Sequence, residues 1–187
     1  MKLFVLFAIL FSSPVLAGEW FTIGEPDQSD WSVRRVQSYT KVNDLPVPDA
    51  VISIADLGIE ASVYNDGLPL ALEAGATWVS GTSRPGTSGN VAIAGHRDSF
   101  FRKLEGVPTG TTIELRTETG TRRFQVETVS VVDALDVWPL DQTQEDVLTL
   151  ITCFPFRYQG YAPDRYIIRA KLISDHHYRT EMSALAD

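Results

Sequence analysis

The chain has 187 residues, of which 44% are hydrophobic and 21% charged, and it carries a net charge of −8. That composition suits one globular domain with tails, and the acidic balance excludes the basic stripe of a nucleic-acid binder. A single Cys excludes an internal disulfide, and three His leave little from which to build a metal site, so no metal or cofactor is expected.

Residues 1–17 read as an export signal. Lys2 supplies a small positive region, Leu3 to Phe11 is an unbroken apolar run, and Val15-Leu16-Ala17 resembles a small-residue cleavage site. The run is shorter than the roughly 20 apolar residues that cross a bilayer comfortably. It is either cleaved or retained as a short anchor. Both put the domain outside the cytoplasm, in the periplasm or cell envelope, with attachment to the cytoplasmic membrane in the second case. Residues 18–45 form an irregular linker, with a short helix expected around Asp30–Tyr39 and capped by Ser29 or Asp30. Leu45-Pro46-Val47-Pro48 marks the entrance to the main domain, 46–174, because prolines there exclude helix.

The pattern then turns to strands. Val51–Ile54 and Ile59–Tyr64 are β-branched runs, the second closed by the turn signature Asn65-Asp66-Gly67. Leu68–Ala76 carries one or two helical turns. A Gly/Ser/Pro-rich loop over 81–90 leads into Val91–Ala94, a short buried-type strand that runs into Gly95-His96. Asp98 and Ser99 are placed to cap a short helix containing Phe100, Phe101 and Leu104. Thr111–Thr117 and Arg122–Val132 form the clearest hairpin, turned at Thr119-Gly120, with a bulge expected where the alternation slips near Val129. Asp141–Asp146 suggests a helical turn. Val147–Thr152 is a buried strand ending at Cys153, Arg165–Ile173 is another, and 175–187 is a polar tail. About eight short strands with one or two short helices predict a mainly β fold, a closed or nearly closed barrel.

Three residues with chemistry to offer lie at strand ends. His96 follows one strand and Cys153 ends another, while Arg165 opens the strand after it. The Phe154–Asp164 link contains Pro155, Gly160 and Pro163 and shows no helical period. It is too irregular for a crossover helix, so its flanking strands are antiparallel neighbours and Cys153 and Arg165 share one end of the sheet. Sequence alone places His96 only at a strand end. A thiolate, an imidazole and a guanidinium suit acyl transfer: nucleophile, proton carrier and holder of a carbonyl or oxyanion. Arg169, four residues along the strand, competes with Arg165 for the last role; the spacing from Cys153 favours Arg165.

Thr149-Leu150-Ile151-Thr152-Cys153, with Arg165 twelve residues on, resembles the signature of the sortases. Asn90-Val91-Ala92-Ile93-Ala94-Gly95-His96-Arg97-Asp98 and the order His, Cys, Arg resemble it too. Cys-Phe-Pro-Phe followed by Ala-Pro-Asp-Arg-Tyr is similar to the class D and E sortases and the related Gram-negative type. The resemblance implies a sortase-like, closed eight-stranded β-barrel and a cysteine transpeptidase that needs no cofactor. It implies that Cys153 is the nucleophile, His96 the acid/base and Arg165 the oxyanion and positioning residue, with Thr152 lining the substrate site. Phe154 and Tyr161 are further candidates for a peptide groove, or for loop packing. The implied partners are an exported protein with a C-terminal sorting signal of the Leu-Pro-x-Thr-Gly kind and an amine acceptor, or water. No loop carboxylate cluster matches the calcium sites of some sortases. The rival from another class is a silent envelope barrel that binds peptide and buries Cys153.

Overall fold

Runs such as Ala50-Val51-Ile52-Ser53-Ile54 put β-branched side chains on a pleated surface, and short turns between them keep successive strands adjacent. The computed structural model describes residues 21–42, 45–68, 70–158 and 160–177. The segment read as an export signal and the residues beyond 177 lie outside those described. Eight strands close a barrel: β1 (Ala50–Ile54), β2 (Ile59–Asn65), β3 (Ala76–Trp78), β4 (Asn90–Ala94), β5 (Thr112–Thr117), β6 (Gly120–Asp133), β7 (Val147–Phe154) and β8 (Asp164–His177). Around the barrel the order is β1-β2-β3-β4-β7-β8-β6-β5, and β5 pairs back onto β1. The β2–β3 and β4–β7 contacts are parallel; the others are antiparallel.

The expected hairpin is present, with Thr117 opposite Gly120 and only Glu118 and Thr119 between the strands. Its bulge lies earlier than the sequence suggests: β6 slips against β8 between Arg123 and Phe124 and again between Val126 and Thr128. Strand β8 runs on past Ser174, where the polar tail was expected to begin, and His177 pairs with Gly120. Glycine is required at 120 because a Cβ there would strike the His176 carbonyl. The expected helical turn at Asp141–Asp146 is absent; a 3-10 turn forms earlier, at Trp138–Leu140. Asn90 fixes it by donating to the carbonyls of Pro139 and Asp141, both at 2.9 Å, while accepting from Thr149 at 2.7 Å.

Ile52, Ile54, Ile93, Leu115, Phe124, Leu148, Leu150 and Ile168 are fully buried inside the barrel. Each such side chain stabilises the fold by about 1.5–3 kcal/mol. Outside the barrel, α1 (Val33–Tyr39) begins at Ser32, whose hydroxyl accepts from the Arg35 amide. The cap is therefore Ser32, not Ser29 or Asp30. Trp31 and Tyr39 pack edge-on against Phe100, with centroids 4.6 and 6.1 Å away, and dock the helix onto the loop after β4. A single turn, α2 (Ala71–Ala74), leads into β3. No helix among the described residues is long and apolar enough to cross a membrane.

Candidate active site

Three strands bring the sequence-predicted residues to one rim. Cys153 in β7 faces Arg165 in β8 directly across the antiparallel pair. Strand β4 runs parallel to β7 with Ala94 opposite Ile151, and the Gly95 amide donates to the Ile151 carbonyl at 3.0 Å. Continued by two residues, that register brings His96 alongside Cys153. Thr152 locks the junction: its hydroxyl donates to the Gly95 carbonyl at 2.7 Å. The glycine before His96 has a packing reason, since a Cβ there would lie 2.6 Å from the Phe101 ring. The backbone then turns back on itself, with the Ser99 and Phe101 amides both donating to the His96 carbonyl.

The His96 side chain is mostly buried, and three charged groups converge on it. Its Nε2 lies 3.5 Å from Glu73 Oε1, long for a hydrogen bond but close enough to act as an ion pair once the ring is protonated. Arg35 of α1 donates from Nη1 to both Glu73 oxygens at 2.8 Å and from Nε to Asp98 Oδ1 at 2.9 Å. Ser32 completes the cluster by donating to Asp98 Oδ2 at 2.9 Å. Burial, and after it the Arg35 charge, hold the imidazole pKa below its ordinary 6.5, while Glu73 and Asp98 pull the other way. Burial pushes the Glu73 and Asp98 carboxyls up, but hydrogen bonds and charge from Arg35 outweigh it, so both lie below their ordinary values. At neutral pH the site therefore holds a neutral imidazole, with a carboxylate ready to steady an imidazolium.

The other predicted residues divide. Cys153 is partly accessible, not sealed in the core as the rival reading required. Arg165 sits opposite the thiol, with its Nη1 donating to the carbonyls of Ala162 and Asp164 at 3.2 and 2.9 Å. Arg169, the competitor, is opposite Thr149 instead. Thr152, expected to line the substrate site, is buried and commits its hydroxyl to Gly95. Phe154 stacks on Tyr166 at 6.0 Å and meets Phe156 edge-on, so it packs against the core rather than lining an open groove. Tyr161 is 80% exposed in the β7–β8 loop and open to a ligand. Asp98 does not cap the following 3-10 turn, which has no side-chain cap; its carboxylate is held by Arg35 and Ser32.

Sequence reasoning passed over Arg35 and Glu73. Both come from short segments without a diagnostic motif, and only the docking of α1 and α2 against the loop after β4 brings them to His96. Two clefts of about 430 and 440 Å³ lie along the 23–31 segment, away from the thiol. Among the described residues no group of three or more His, Cys, Asp or Glu is arranged to hold a metal.

Comparisons with known proteins agree with this geometry. A family model described as the sortase domain matches residues 52–173. Sortase D of Bacillus subtilis (strain 168) is 32% identical over 104 residues, which is 55% of this chain. The chain thus spans about half, 52%, of that curated relative's length. Among solved structures, the Clostridium perfringens sortase D5 transpeptidase is 26% identical with a TM-score of 0.62, over 78% of this chain and 91% of that one. Sortase A of Listeria monocytogenes shares the fold, with a TM-score of 0.63 at 23% identity, over 73% of this chain and 94% of that one. With the barrel, the strand-end Cys and Arg and the matched domain in agreement, the chain belongs to the sortase family.

Proposed function

We propose that this protein is a cysteine transpeptidase that cuts a C-terminal, Leu-Pro-x-Thr-Gly-like sorting signal of an exported protein and passes the acyl group to an amine, or to water. The observation that carries the reading is the register of β7 and β8, which sets Cys153 opposite Arg165 at the rim where β4 delivers His96.

Each residue has a role fitted to its surroundings. His96, neutral at rest, takes the thiol proton, and the Cys153 thiolate attacks the scissile carbonyl. The charge that builds on the carbonyl oxygen is met by the Arg165 guanidinium, whose planar fork is charged at any working pH. The imidazolium, steadied by Glu73, protonates the leaving amine. A thioester remains on Cys153 and keeps the energy of the cut amide until an amine attacks. Tyr161, exposed on the β7–β8 loop, is placed to contact the peptide. The proposed site of action is the cell envelope or periplasm, reached through residues 1–17 as a cleaved signal or a short anchor.

The test is incubation of the protein with a panel of Leu-Pro-x-Thr-Gly-like peptides, with and without an added amine. Mass spectrometry should find a thioester adduct on Cys153, and a ligated product only where the amine is present. Cys153→Ala should lose the adduct and lower turnover on the order of 10⁴-fold or more. Cleavage without ligation under every amine would make the enzyme a hydrolase. An adduct-free, unreactive thiol would defeat the proposal.

A further inference from the structure

We infer that Arg35, from the helix preceding the barrel, is a positioning residue for His96: it grips Glu73 and Asp98 together and so fixes the carboxylates that flank the imidazole. The inference rests on reading His96 as the acid/base.

The geometry of the cluster carries it. One guanidinium, its side chain 12% exposed, joins three separate parts of the chain: α1, α2 and the loop after β4. Its Nη1 reaches both oxygens of Glu73 and its Nε reaches Asp98, so the planar fork spans the gap between two carboxylates that would otherwise repel. Asp98 is two residues from His96 in sequence, and Glu73 Oε1 is 3.5 Å from Nε2. The backbone adds a further tie, since the Ser32 amide donates to the Asp98 carbonyl at 3.1 Å. Helix α1 has no fully buried residue and is docked through the aromatic contacts of Tyr39 and the neighbouring Trp31, so it does not need a sunken arginine to hold it in place.

The groups that face His96 are Glu73 from α2, Arg35 from α1 and Asp98 from its own loop. On the strand side the register adds Cys153 from β7, with Arg165 across from it on β8. The next residue, Arg97, turns away and donates to the Tyr158 and Gly160 carbonyls. Arg35 is thus the cation shared by both flanking carboxylates. Without it two negative charges bear on the imidazole, which then holds its proton too tightly to accept one from the thiol, and Glu73 loses its fixed orientation.

The test uses the full chain and two readouts. The first is proton NMR titration of the His96 ring, assigned by loss of its signal in His96→Gln; it needs no substrate. Arg35→Gln should raise the proton affinity of His96 about tenfold. Arg35→Lys, which keeps the charge but not the fork, should titrate close to wild type. The second readout is peptide cleavage. Arg35→Gln should lower kcat about tenfold, as loss of an orienting partner does elsewhere, with KM little changed. Arg35→Lys should restore only part of kcat. If Arg35→Gln does not fold, Glu73→Gln carries the test, and should lower the proton affinity of His96. If the titration and kcat of the Arg35 variants match wild type while only the melting temperature falls, Arg35 is a tether for α1 and the inference fails. Full activity in His96→Gln would instead overturn the acid/base role itself.

Discussion

At the end of the barrel away from the thiol, Arg122 is buried with its side chain 4% exposed. It is bound by Asp146 at 2.6 Å, Asp175 at 3.1 Å and the Thr87 carbonyl at 2.6 Å, and it lies over the Phe124 ring. At the other end Arg35 is likewise held by two carboxylates, Glu73 and Asp98. The two clusters share an architecture and differ in the setting of one component. In the Arg122 cluster the histidine beside a carboxylate, His177 with Nε2 3.5 Å from Asp175 Oδ1, stands in solvent, and the arginine's partners come from the loop before β7 and the far end of β8, so it clamps the barrel shut. In the Arg35 cluster the histidine beside a carboxylate is His96, which is mostly buried and which Glu73 approaches without a good hydrogen bond. Where the same pairing borders an imidazole open to water it stabilises; where it borders a buried imidazole short of a partner it leaves a proton free to move.

The comparison can be broken most forcefully by removing one member from each end. His96→Ala should abolish peptide cleavage on the order of 10³-fold or more with the folded state intact, as loss of a general acid/base does. Arg122→Met should do the reverse. Breaking a buried pair strands Asp146 and Asp175, at a cost of about 3 kcal/mol in denaturant unfolding, with cleavage per folded molecule unchanged. An Arg122 variant that melts normally but does not cut would erase the distinction.

A smaller effect sharpens it. Gly95→Ala drives a methyl into the Phe101 ring, 2.6 Å from where the Cβ would sit, and overpacking of that kind costs about 1–3 kcal/mol. Because His96 is the next residue, turnover should fall further than the loss of folded protein explains, measured by comparing cleavage with circular dichroism melting.

The smallest effect is in pH. The folded pKa of His96 lies below 6.5, so the unfolded chain binds that proton more readily. Stability from this residue is full above pH 6.5 and drains as pH falls from 6.5 towards the folded value. His96→Gln should flatten that slope in urea titrations. The Asp146 carboxyl is also lowered: burial would raise it, but the Gly89 amide and Arg122 prevail. Its stabilisation is present above 3.8 and lost only as pH falls through its folded value, so Asp146 itself should add no pH dependence to stability between pH 8 and 5.

Much of this was legible in the residues. Alternation around Thr119-Gly120 defined the β5–β6 hairpin, and the irregular, proline-bearing link after Phe154 required antiparallel neighbours, hence the Cys153–Arg165 pairing. The position of His96 was not, because β4 and β7 are parallel and distant in sequence, and no periodicity encodes which strand lies beside which. Asp98 looked like a helix cap because Asp before an apolar run usually is one. Its actual partner, Arg35, is 63 residues upstream and was chosen by charge and burial. The sortase resemblance gave Thr152 a substrate-site role, and Phe154 suited either a peptide groove or loop packing; Thr152 braces the β4–β7 junction and Phe154 joins an aromatic stack. The far end of β8 was hidden by its polar composition, since its strand state comes from pairing with β6 and from the Asp175–Arg122 contact.

The barrel's closure bears on the proposed function, which requires recognition of an extended polypeptide. Because β5 returns to β1, no strand is an edge over its whole length, but residues 127–133 of β6 pair with β8 and run past the end of their pairing with β5. An incoming chain could join the sheet as one more strand, the mode that open-edged peptide binders use, only along such a short stretch. Elsewhere recognition falls to side chains and loops at the rim, which can be exchanged in evolution without disturbing a ladder hydrogen bond. Over the rest of the barrel the same closure denies misfolded neighbours a template, a safeguard against aggregation.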